Sequence, residues 1–331
     1  MKKILITGSS GFIGSYLVEE ALANNYEVYA GIRKNSSTQY LRDTRIKFIE
    51  FDFSNKDGLD NTISESPYFE YIIHNAGLTK AFRKHDYHTT NFQYTRNFIE
   101  ALADQKKVPE KFIFMSSLAS YGPGNPATME PIKISDIQKP VTSYGKSKLE
   151  AEKYISGLPE FPYVIIRPTA VYGPREKDLL TVFRLINNHV EFLIGRKTQH
   201  LTFLYVKDLA KLVFQVIDSE IVNKGYFVSD GNVYDSKRLG QIIGEALGKK
   251  TIRIQVPVSL ARLIAAFVEG TKYVTGKQSI LNLEKINELE CVNWQCDVQP
   301  IIEDFDFKPD YDLSTGIRET ADWYKKNKWL K

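Results

Sequence analysis

A tyrosine and a lysine four residues apart, Tyr144 and Lys148, are the residues best suited by type and spacing to proton transfer. They lie in a segment, residues 143–156, that is patterned as a helix, so they share one helical face. A free tyrosine has a pKa of about 10, and a neighbouring ammonium stabilises the phenolate and lowers that pKa. The pair therefore predicts general acid–base chemistry on a hydroxyl or carbonyl group, with the lysine also able to bind a ribose hydroxyl.

A serine hydroxyl at the end of a predicted strand completes this set. Ser116 and Ser117 follow an apolar run, at the carboxyl edge where parallel sheets bind their ligands. Side chains alternate along a strand, so the two hydroxyls face opposite sides. One of them can donate to a substrate carbonyl and stabilise the charge on its oxygen. The simpler reading is that both serines only terminate the strand.

The glycine-rich segment from Thr7 to Gly14 directly follows the first predicted strand and opens a helix. Gly8 permits a tight turn, Gly11 lets the backbone approach a pyrophosphate, and Gly14 lets helix and strand pack closely. The free N–H groups at the helix start then bind the pyrophosphate. This pattern predicts a dinucleotide site whose contacts are Gly8, Ser10, Gly11, Phe12, Ile13 and Gly14.

The end of the second predicted strand favours NADP over NAD. Sites for NAD usually place a carboxylate there, but this chain has Arg33 and Lys34. A guanidinium such as that of Arg33 pairs bidentately with a 2′-phosphate. The alternative, NAD, applies if both cations only point into solvent.

The elements that must position these residues alternate between strand and helix. Such alternation predicts right-handed βαβ units and an α/β fold with a doubly wound, parallel Rossmann sheet. Predicted strands span residues 3–7, 27–32, 46–51, 71–74, 111–116, 163–167, 201–206 and 226–230. Predicted helices span residues 15–24, 87–104, 143–156, 178–188, 236–247, 256–273 and 315–325.

Two lobes are expected from the change of rhythm after Gly173. Residues 1–172, with 201–230 contributing, are predicted to form the dinucleotide-binding Rossmann domain. Residues 173–200 and 231–331 are predicted to form a smaller, partly interleaved substrate-binding lobe.

Composition restricts the function classes further. The 331 residues carry a formal charge of +4 without a block of like charges, so no nucleic-acid arm is expected. No apolar run approaches the roughly 20 residues that span a bilayer, and we expect a cytoplasmic protein without a transmembrane segment. Cys291 and Cys296 fit no metal motif; we expect reduced thiols and no metal.

Four motifs in this order resemble the extended short-chain dehydrogenase/reductase family, which includes the NAD-dependent epimerase/dehydratase group. They are Thr7–Gly14, Ser116–Gly122, Tyr144-x-x-x-Lys148 and Arg167–Pro174, and the resemblance covers nearly the whole chain. It implies that Ser117, rather than Ser116, acts with Tyr144 and Lys148.

The resemblance also implies further cofactor contacts. Asp52 and Phe53 match the adenine-contacting position, and Asn91 matches an asparagine that supports the active site. The remaining matches, which pass under the cofactor or border the nicotinamide, are Asn75, Ala76, Gly77, Pro168 and Val171. Simpler readings make Asp52 a helix N-cap, Asn91 a capping or surface amide and His74 a hydrogen-bonded histidine near the core.

Three functions fit these residues. The first is an oxidoreductase that moves hydride between nicotinamide and a carbonyl or hydroxyl substrate, with Tyr144 as acid or base. The second is a sugar-nucleotide epimerase or dehydratase with a tightly bound cofactor. The third is a non-catalytic, cofactor-sensing protein, against which the complete set of Ser117, Tyr144 and Lys148 argues.

The family's sugar-nucleotide members bind a diphosphate with donors that this chain lacks, and this difference favours the first function. Those members typically carry Asn where this chain has Ala170, and usually Arg where it has Leu201. A diphosphate needs cationic or amide donors, which Arg184, Arg196 or Lys197 would have to supply instead.

The C-terminal lobe points the same way. Its segment 257–268 is strongly apolar, and its ending is similar to those of members resembling 3-beta-hydroxysteroid dehydrogenase and dihydroflavonol reductase. An apolar lobe suits an uncharged carbonyl compound or a sterol-like ligand. The simpler reading is core or dimer packing, and a further alternative is contact with a membrane surface. As is common in the family, we expect a homodimer.

Overall fold

A seven-stranded parallel sheet forms the centre of the computed structural model, which describes residues 1–275 and 282–330, with side chains outside 271–275. Its strands are β1 (Lys3–Thr7), β2 (Glu27–Ile32), β3 (Lys47–Glu50), β4 (Tyr71–His74), β5 (Lys111–Met115), β6 (Tyr163–Pro168) and β11 (Lys224–Val228). They lie in the order β11-β6-β5-β4-β1-β2-β3. The predicted α/β Rossmann fold is confirmed.

Helices cover both faces of this sheet, which explains why β4 and β5 are apolar runs buried along their whole length. On one face lie α1 (Phe12–Ala23) and α7 (Val206–Asp218). On the other lie α2 (Lys56–Glu65), α4 (Tyr94–Asp104) and α5 (Ser143–Ser156). The strand order reverses between β1 and β4, so a crevice opens at the carboxyl ends of these two strands.

Short elements and a second core complete the fold. The first half also contains α3 (Lys84–Tyr87), a π-helical turn (His88–Gln93) and a 3-10 turn (Leu118–Ser120). The short strands pair as β7 (Ala170–Tyr172) with β10 (Phe203–Tyr205), β8 (Val190–Ile194) with β13 (Ile252–Val256), and β9 (His200–Leu201) with β12 (Tyr234–Asp235). The remaining helices are α6 (Leu179–Asn187), α8 (Ser236–Leu247), α9 (Val258–Thr275), α10 (Leu283–Glu290), α11 (Gln299–Phe305) and α12 (Leu313–Lys326). Side chains of α6, α8 and α12 share one apolar core.

Several predicted bounds were wrong for local reasons. The helix predicted over 87–104 is interrupted by the π-helical turn. The strand predicted over 201–206 is two short strands, and Val206 already begins the unpredicted helix α7. The helix predicted from 256 begins at Val258, because Val256 pairs in β13.

The described part of the chain contains no helix that is both long and apolar enough to cross a membrane.

Candidate active site

The turn after β1 is built so that only glycine fits at its key positions. Gly8 has a φ of +65°, and a Cβ atom there would lie 2.8 Å from both the Ala76 nitrogen and the Asn75 carbonyl oxygen. A Cβ atom on Gly14 would collide with the carbonyl oxygen of Gly8. The start of α1 and the loop after β4 therefore pack against the turn so closely that only backbone atoms lie between them.

The N-terminus of α1 is free to bind an anion. Gly11 is its N-cap and offers no side-chain cap, and the first turn contains no acidic residue. Ser10, Phe12 and Ile13 are partly exposed beside the exposed Gly11. The Gly11 N–H already donates to the Gly8 carbonyl at 3.1 Å, so the N–H groups that remain for a ligand are those of the first helical turn that follows. Unpaired N–H groups and the positive end of the helix dipole suit a phosphate group. A dinucleotide therefore fits this turn.

The loop after β4 connects the glycine turn to the tyrosine–lysine helix. The Asn75 amide donates to the Gly8 carbonyl at 3.4 Å, and the Ala76 N–H donates to the Thr7 hydroxyl at 3.2 Å. Gly77 lies at the other end of the loop, where a Cβ atom would be 3.3 Å from the Lys148 ammonium nitrogen. The predicted residues Asn75, Ala76 and Gly77 thus lie between the two halves of the site.

Asn91 holds this loop against α5. Its Oδ1 accepts from the Leu78 N–H at 2.7 Å, and its Nδ2 donates to the Leu78 carbonyl and the Ser147 hydroxyl, both at 3.0 Å. The side chain is fully buried, so Asn91 is not a surface amide. It lies on the π-helical turn, which the sequence did not predict.

Lys148 lies on α5, and its side chain is buried. Its ammonium donates to the Met115 carbonyl at the end of β5, at 2.8 Å. Burial lowers the pKa of Lys148 to about 8, although the nearby carboxylate of Glu152 acts in the opposite direction.

The hydroxyls of Tyr144 and Ser117 are hydrogen-bonded to each other. Burial raises the pKa of the Tyr144 hydroxyl to about 12, and its hydrogen bond with the Ser117 hydroxyl lowers that pKa only in part. The expected lowering of this pKa by a neighbouring ammonium is not among the causes of the shift, which desolvation dominates. Tyr144 carries its proton at neutral pH, which suits a proton donor.

The two serines do face opposite sides. Ser117 caps the 3-10 turn, where its hydroxyl accepts from the Ala119 N–H at 3.2 Å. Ser116 is buried on the other side and donates to the Glu152 carboxylate. Of the two hydroxyls, that of Ser117 contacts Tyr144.

A buried ion pair supports α5 and was missed in the sequence. The Glu152 carboxylate accepts from the Arg167 guanidinium at 2.9 Å, and both side chains are almost fully buried. The guanidinium also lies over the Tyr121 ring, 5.1 Å from its centroid. Only the spacing of Glu152, four residues after Lys148 on one helix, could have pointed to it, and that spacing does not reveal the partner Arg167.

His74 is a structural residue. Its ring is hydrogen-bonded to the Thr7 hydroxyl at 2.9 Å and to the Thr95 hydroxyl at 3.0 Å. Burial lowers its pKa to about 3, so the ring is neutral. This confirms the interpretation as a hydrogen-bonded histidine near the core.

The outer predicted residues differ in accessibility. Arg33 is exposed directly after β2; its backbone N–H donates to the Ser36 hydroxyl at 3.0 Å, and its carbonyl accepts from the Ser36 N–H at 2.9 Å. Asp52 is exposed and accepts from the Ser54 N–H at 3.0 Å, whereas Asn55 is the N-cap of α2. Phe53 is buried against other rings, so its side chain belongs to the core.

The strand end after β6 borders the site on the remaining side. Pro168 closes β6, and Val171 is half-buried in β7. Between them the Thr169 hydroxyl is buried without a hydrogen-bond partner among the described residues. No sequence pattern indicated this unpartnered group, which can bind a polar atom of a ligand.

The positions of the expected diphosphate clamp are apolar. Ala170 is exposed, and Leu201 packs against both the second core and the cluster around Trp294. Of the expected replacements, Arg184 donates to the Trp329 carbonyl at 3.4 Å. Arg196 and Lys197 are exposed after β8.

Comparison with known proteins identifies the family of the chain. The model of the family described as "NAD dependent epimerase/dehydratase family" matches residues 4–228. The chain is 26% identical to the UDP-glucose 4-epimerase of Vibrio cholerae over 333 residues, covering 97% of this chain and 94% of that protein. It is 24% identical to the ceramide reductase of Caulobacter vibrioides, covering 99% of this chain and 96% of that protein.

Solved structures share the fold. The UDP-glucose 4-epimerase of Thermotoga maritima with UDP-glucose superposes with a TM-score of 0.80 at 19% identity, covering 98% of this chain and 99% of that chain. The UDP-glucose 4-epimerase of Thermus thermophilus in complex with NAD gives a TM-score of 0.78 at 20% identity, with the same coverage. The family match over residues 4–228 shows that this chain is an enzyme of the extended short-chain dehydrogenase/reductase type and belongs to the NAD-dependent epimerase/dehydratase family.

Proposed function

We propose that the protein is an NADP-preferring oxidoreductase that reduces a carbonyl substrate, with Tyr144 as the proton donor. The observation that carries the proposal is the apolar character of Ala170 and Leu201, where sugar-nucleotide members present donors to a diphosphate. The protonated Tyr144 beside Ser117 supports the direction of the reaction, because carbonyl reduction consumes a proton.

The proposed acid–base step uses three side chains. The hydroxyls of Ser117 and Tyr144 donate to the substrate oxygen and stabilise its developing charge. As that oxygen becomes an alkoxide, it takes the proton of Tyr144, and the phenolate that remains is stabilised by the Lys148 ammonium. When bound, the reduced nicotinamide dinucleotide supplies the hydride.

The cofactor is proposed to lie along the carboxyl edge of the sheet. The accessible N–H groups at the start of α1 support pyrophosphate binding, and Asp52 is exposed near the adenine end. The proposed contacts are Gly8, Ser10, Gly11, Phe12, Ile13, Gly14, Arg33, Asp52, Phe53, Asn75, Ala76, Gly77, Asn91, Tyr144, Lys148, Pro168 and Val171. Phe53 can contribute only backbone atoms, since its side chain is in the core.

Arg33 supports the preference for NADP. Its exposed guanidinium makes no ion pair with any other described residue, and no carboxylate follows β2. Replacing Arg33 with Asp should raise the KM for NADPH about 10- to 100-fold, because charge-assisted hydrogen bonds to the 2′-phosphate are lost. Arg318→Asp, an equally exposed change on α12, should leave that KM unchanged. A wild type that prefers NADH would contradict the assignment.

The substrate is proposed to be an apolar ketone or aldehyde. The ceramide reductase to which the chain is similar supports a reduction on a lipid-like molecule. The exposed apolar side chains of the C-terminal lobe, described below, fit the same class.

The second candidate is a sugar-nucleotide epimerase or dehydratase, favoured by the UDP-glucose 4-epimerases among the relatives and solved structures. One experiment separates the two. Purified protein is incubated with NADPH and a panel of long-chain and small carbonyl compounds, and separately with UDP- and dTDP-sugars. Net oxidation of NADPH with a carbonyl compound supports the reductase. Conversion of a nucleotide sugar without net cofactor consumption would replace it with the second candidate.

A further inference from the structure

One side of α9 is apolar and exposed. Its inner side is formed by Ala261 and Ala265, which pack against α10 and the ends of β8 and β13. The side next to it carries residues at spacings of three and four, which form one continuous stripe on a helix. Their exposed fractions are 46% for Leu260, 68% for Leu263, 42% for Ile264 and 74% for Phe267.

The adjoining two-stranded sheet continues this surface. Phe192 of β8 and Ile254 of β13 are register partners, 49% and 42% exposed, and Ile252 is 71% exposed. Ile194 and Val256 lie farther along the same sheet face and pack against the α9 cluster. The stripe and the sheet residues therefore border the same apolar cluster. We call them the apolar face: Phe192, Ile252, Ile254, Leu260, Leu263, Ile264 and Phe267.

Cations flank the apolar face at both ends of the sheet. Arg196 and Lys197 follow β8, and Lys249 and Lys250 precede β13. None of these four makes an ion pair with another described residue, whereas Arg253 pairs with Glu191 on the opposite sheet face. The described stretches 189–200 and 248–270 contain six lysines and arginines and two carboxylates, and one of the six, Arg262, pairs with Glu290 of α10.

We propose that the apolar face docks the enzyme peripherally on an anionic lipid bilayer. An apolar stripe bordered by basic side chains is the surface that inserts into the headgroup region of such a membrane. A second copy of the chain fits less well, because a two-fold contact would bring the same cations together. This inference stands on the exposed surface and does not rest on the proposed reaction.

Vesicle co-sedimentation tests the proposal on the full-length protein. The wild type should bind vesicles of phosphatidylcholine with phosphatidylglycerol and bind much less to phosphatidylcholine alone. Leu263→Glu combined with Phe267→Glu should lower the partition coefficient about ten-fold or more. Lys249→Gln with Lys250→Gln should lower it about five-fold for each cation removed.

Ile137→Glu is the matched control, because Ile137 is 80% exposed elsewhere on the surface and its change should leave binding unaltered. Near-UV circular dichroism verifies that each variant is folded. The proposal is overturned if the wild type ignores anionic vesicles, binds neutral vesicles equally well, or binds as before after the double Glu change. A dimer interface would also overturn it. In that case the wild type binds no vesicles, and the double Glu change converts its dimer into monomers.

Discussion

The proposed chemistry depends on a partly buried phenol that keeps its proton. Burial, rather than the neighbouring ammonium, dominates the pKa of Tyr144. Its hydroxyl meets Ser117, and Lys148 is anchored to the end of β5 by the Met115 carbonyl. At this scale the site consists of two hydroxyl donors, Ser117 and Tyr144, and a buried lysine whose pKa is low for its type.

Replacing Tyr144 with Phe should abolish turnover and leave cofactor affinity nearly unchanged. The substitution removes the proton donor but keeps the ring that packs beside Tyr87. Loss of general-acid catalysis alone costs about 100- to 10,000-fold in rate. Steady-state kinetics and a fluorescence titration with NADPH measure the two quantities. Tyr154→Phe, the same change farther along α5, should retain full activity, and equal losses in both variants would contradict the role of Tyr144.

The rate of reduction should fall above about pH 8. Lys148 loses its proton with a pKa of about 8, so above that pH no ammonium stabilises the phenolate, while Tyr144 remains protonated up to about 12. We expect kcat to drop about ten-fold for each pH unit above the pKa of Lys148.

Unfolding would not explain that drop. The pKa of Lys148 is 10.5 in the unfolded chain and about 8 in the folded protein. Between about pH 8 and 10.5 the unfolded chain therefore binds more protons. The contribution of this group to stability therefore rises with pH across that window. A kcat that stays flat to about pH 10 would show that Lys148 does not titrate in the reaction.

At the scale of elements, the glycine turn fixes how close α1 comes to β1. Gly14→Ala should weaken NADPH binding about ten-fold or more and lower the free energy of unfolding by about 1–3 kcal/mol. The added methyl group collides with the Gly8 carbonyl, so the start of α1 must shift. Gly270→Ala on α9 is the control, because nothing lies within 4 Å of its Cβ position. It should preserve binding and add up to about 1 kcal/mol of stability.

The buried pair between α5 and β6 makes a separate prediction. Glu152→Ala should lower the free energy of unfolding by about 3–5 kcal/mol, because it leaves the Arg167 guanidinium charged and unpaired in the core. Urea denaturation measures this. Glu150→Ala, also on α5, removes an exposed ion-pair partner of His88. It should lower the free energy of unfolding by less than about 1 kcal/mol. Similar losses for both variants would show that the pair is not important for stability.

Elements whose pattern is local could be predicted from the sequence. Strands β1, β2 and β4 were predicted at their observed bounds because each is a distinct apolar run. Helix α7 was missed because β10 passes into it at Val206 without a turn residue. The π-helical turn that carries Asn91 has no local signature, since it depends on the tertiary bonds of that amide to Leu78 and Ser147.

At the scale of the molecule, the proposed site residues could be selected from the sequence because most of them belong to short motifs, either at a strand end or, for Tyr144 and Lys148, on one helix. The pairing of Glu152 with Arg167 and the unpartnered Thr169 hydroxyl depend on how α5 and β6 pack, which no single segment encodes. The same holds for the pKa of Tyr144. Residue type and spacing favoured a lowered value, and the burial that reverses it comes from the assembled fold.

The outermost strand of the central sheet, β11, comes from residues 224–228, more than fifty positions after its neighbour β6. During synthesis, β6 therefore leaves the ribosome well before the strand that covers its free edge. Until then its unpaired N–H and C=O groups form a template on which a second nascent chain can pair. Chaperone demand should accordingly be highest after β6 has left the ribosome and before β11 has followed it.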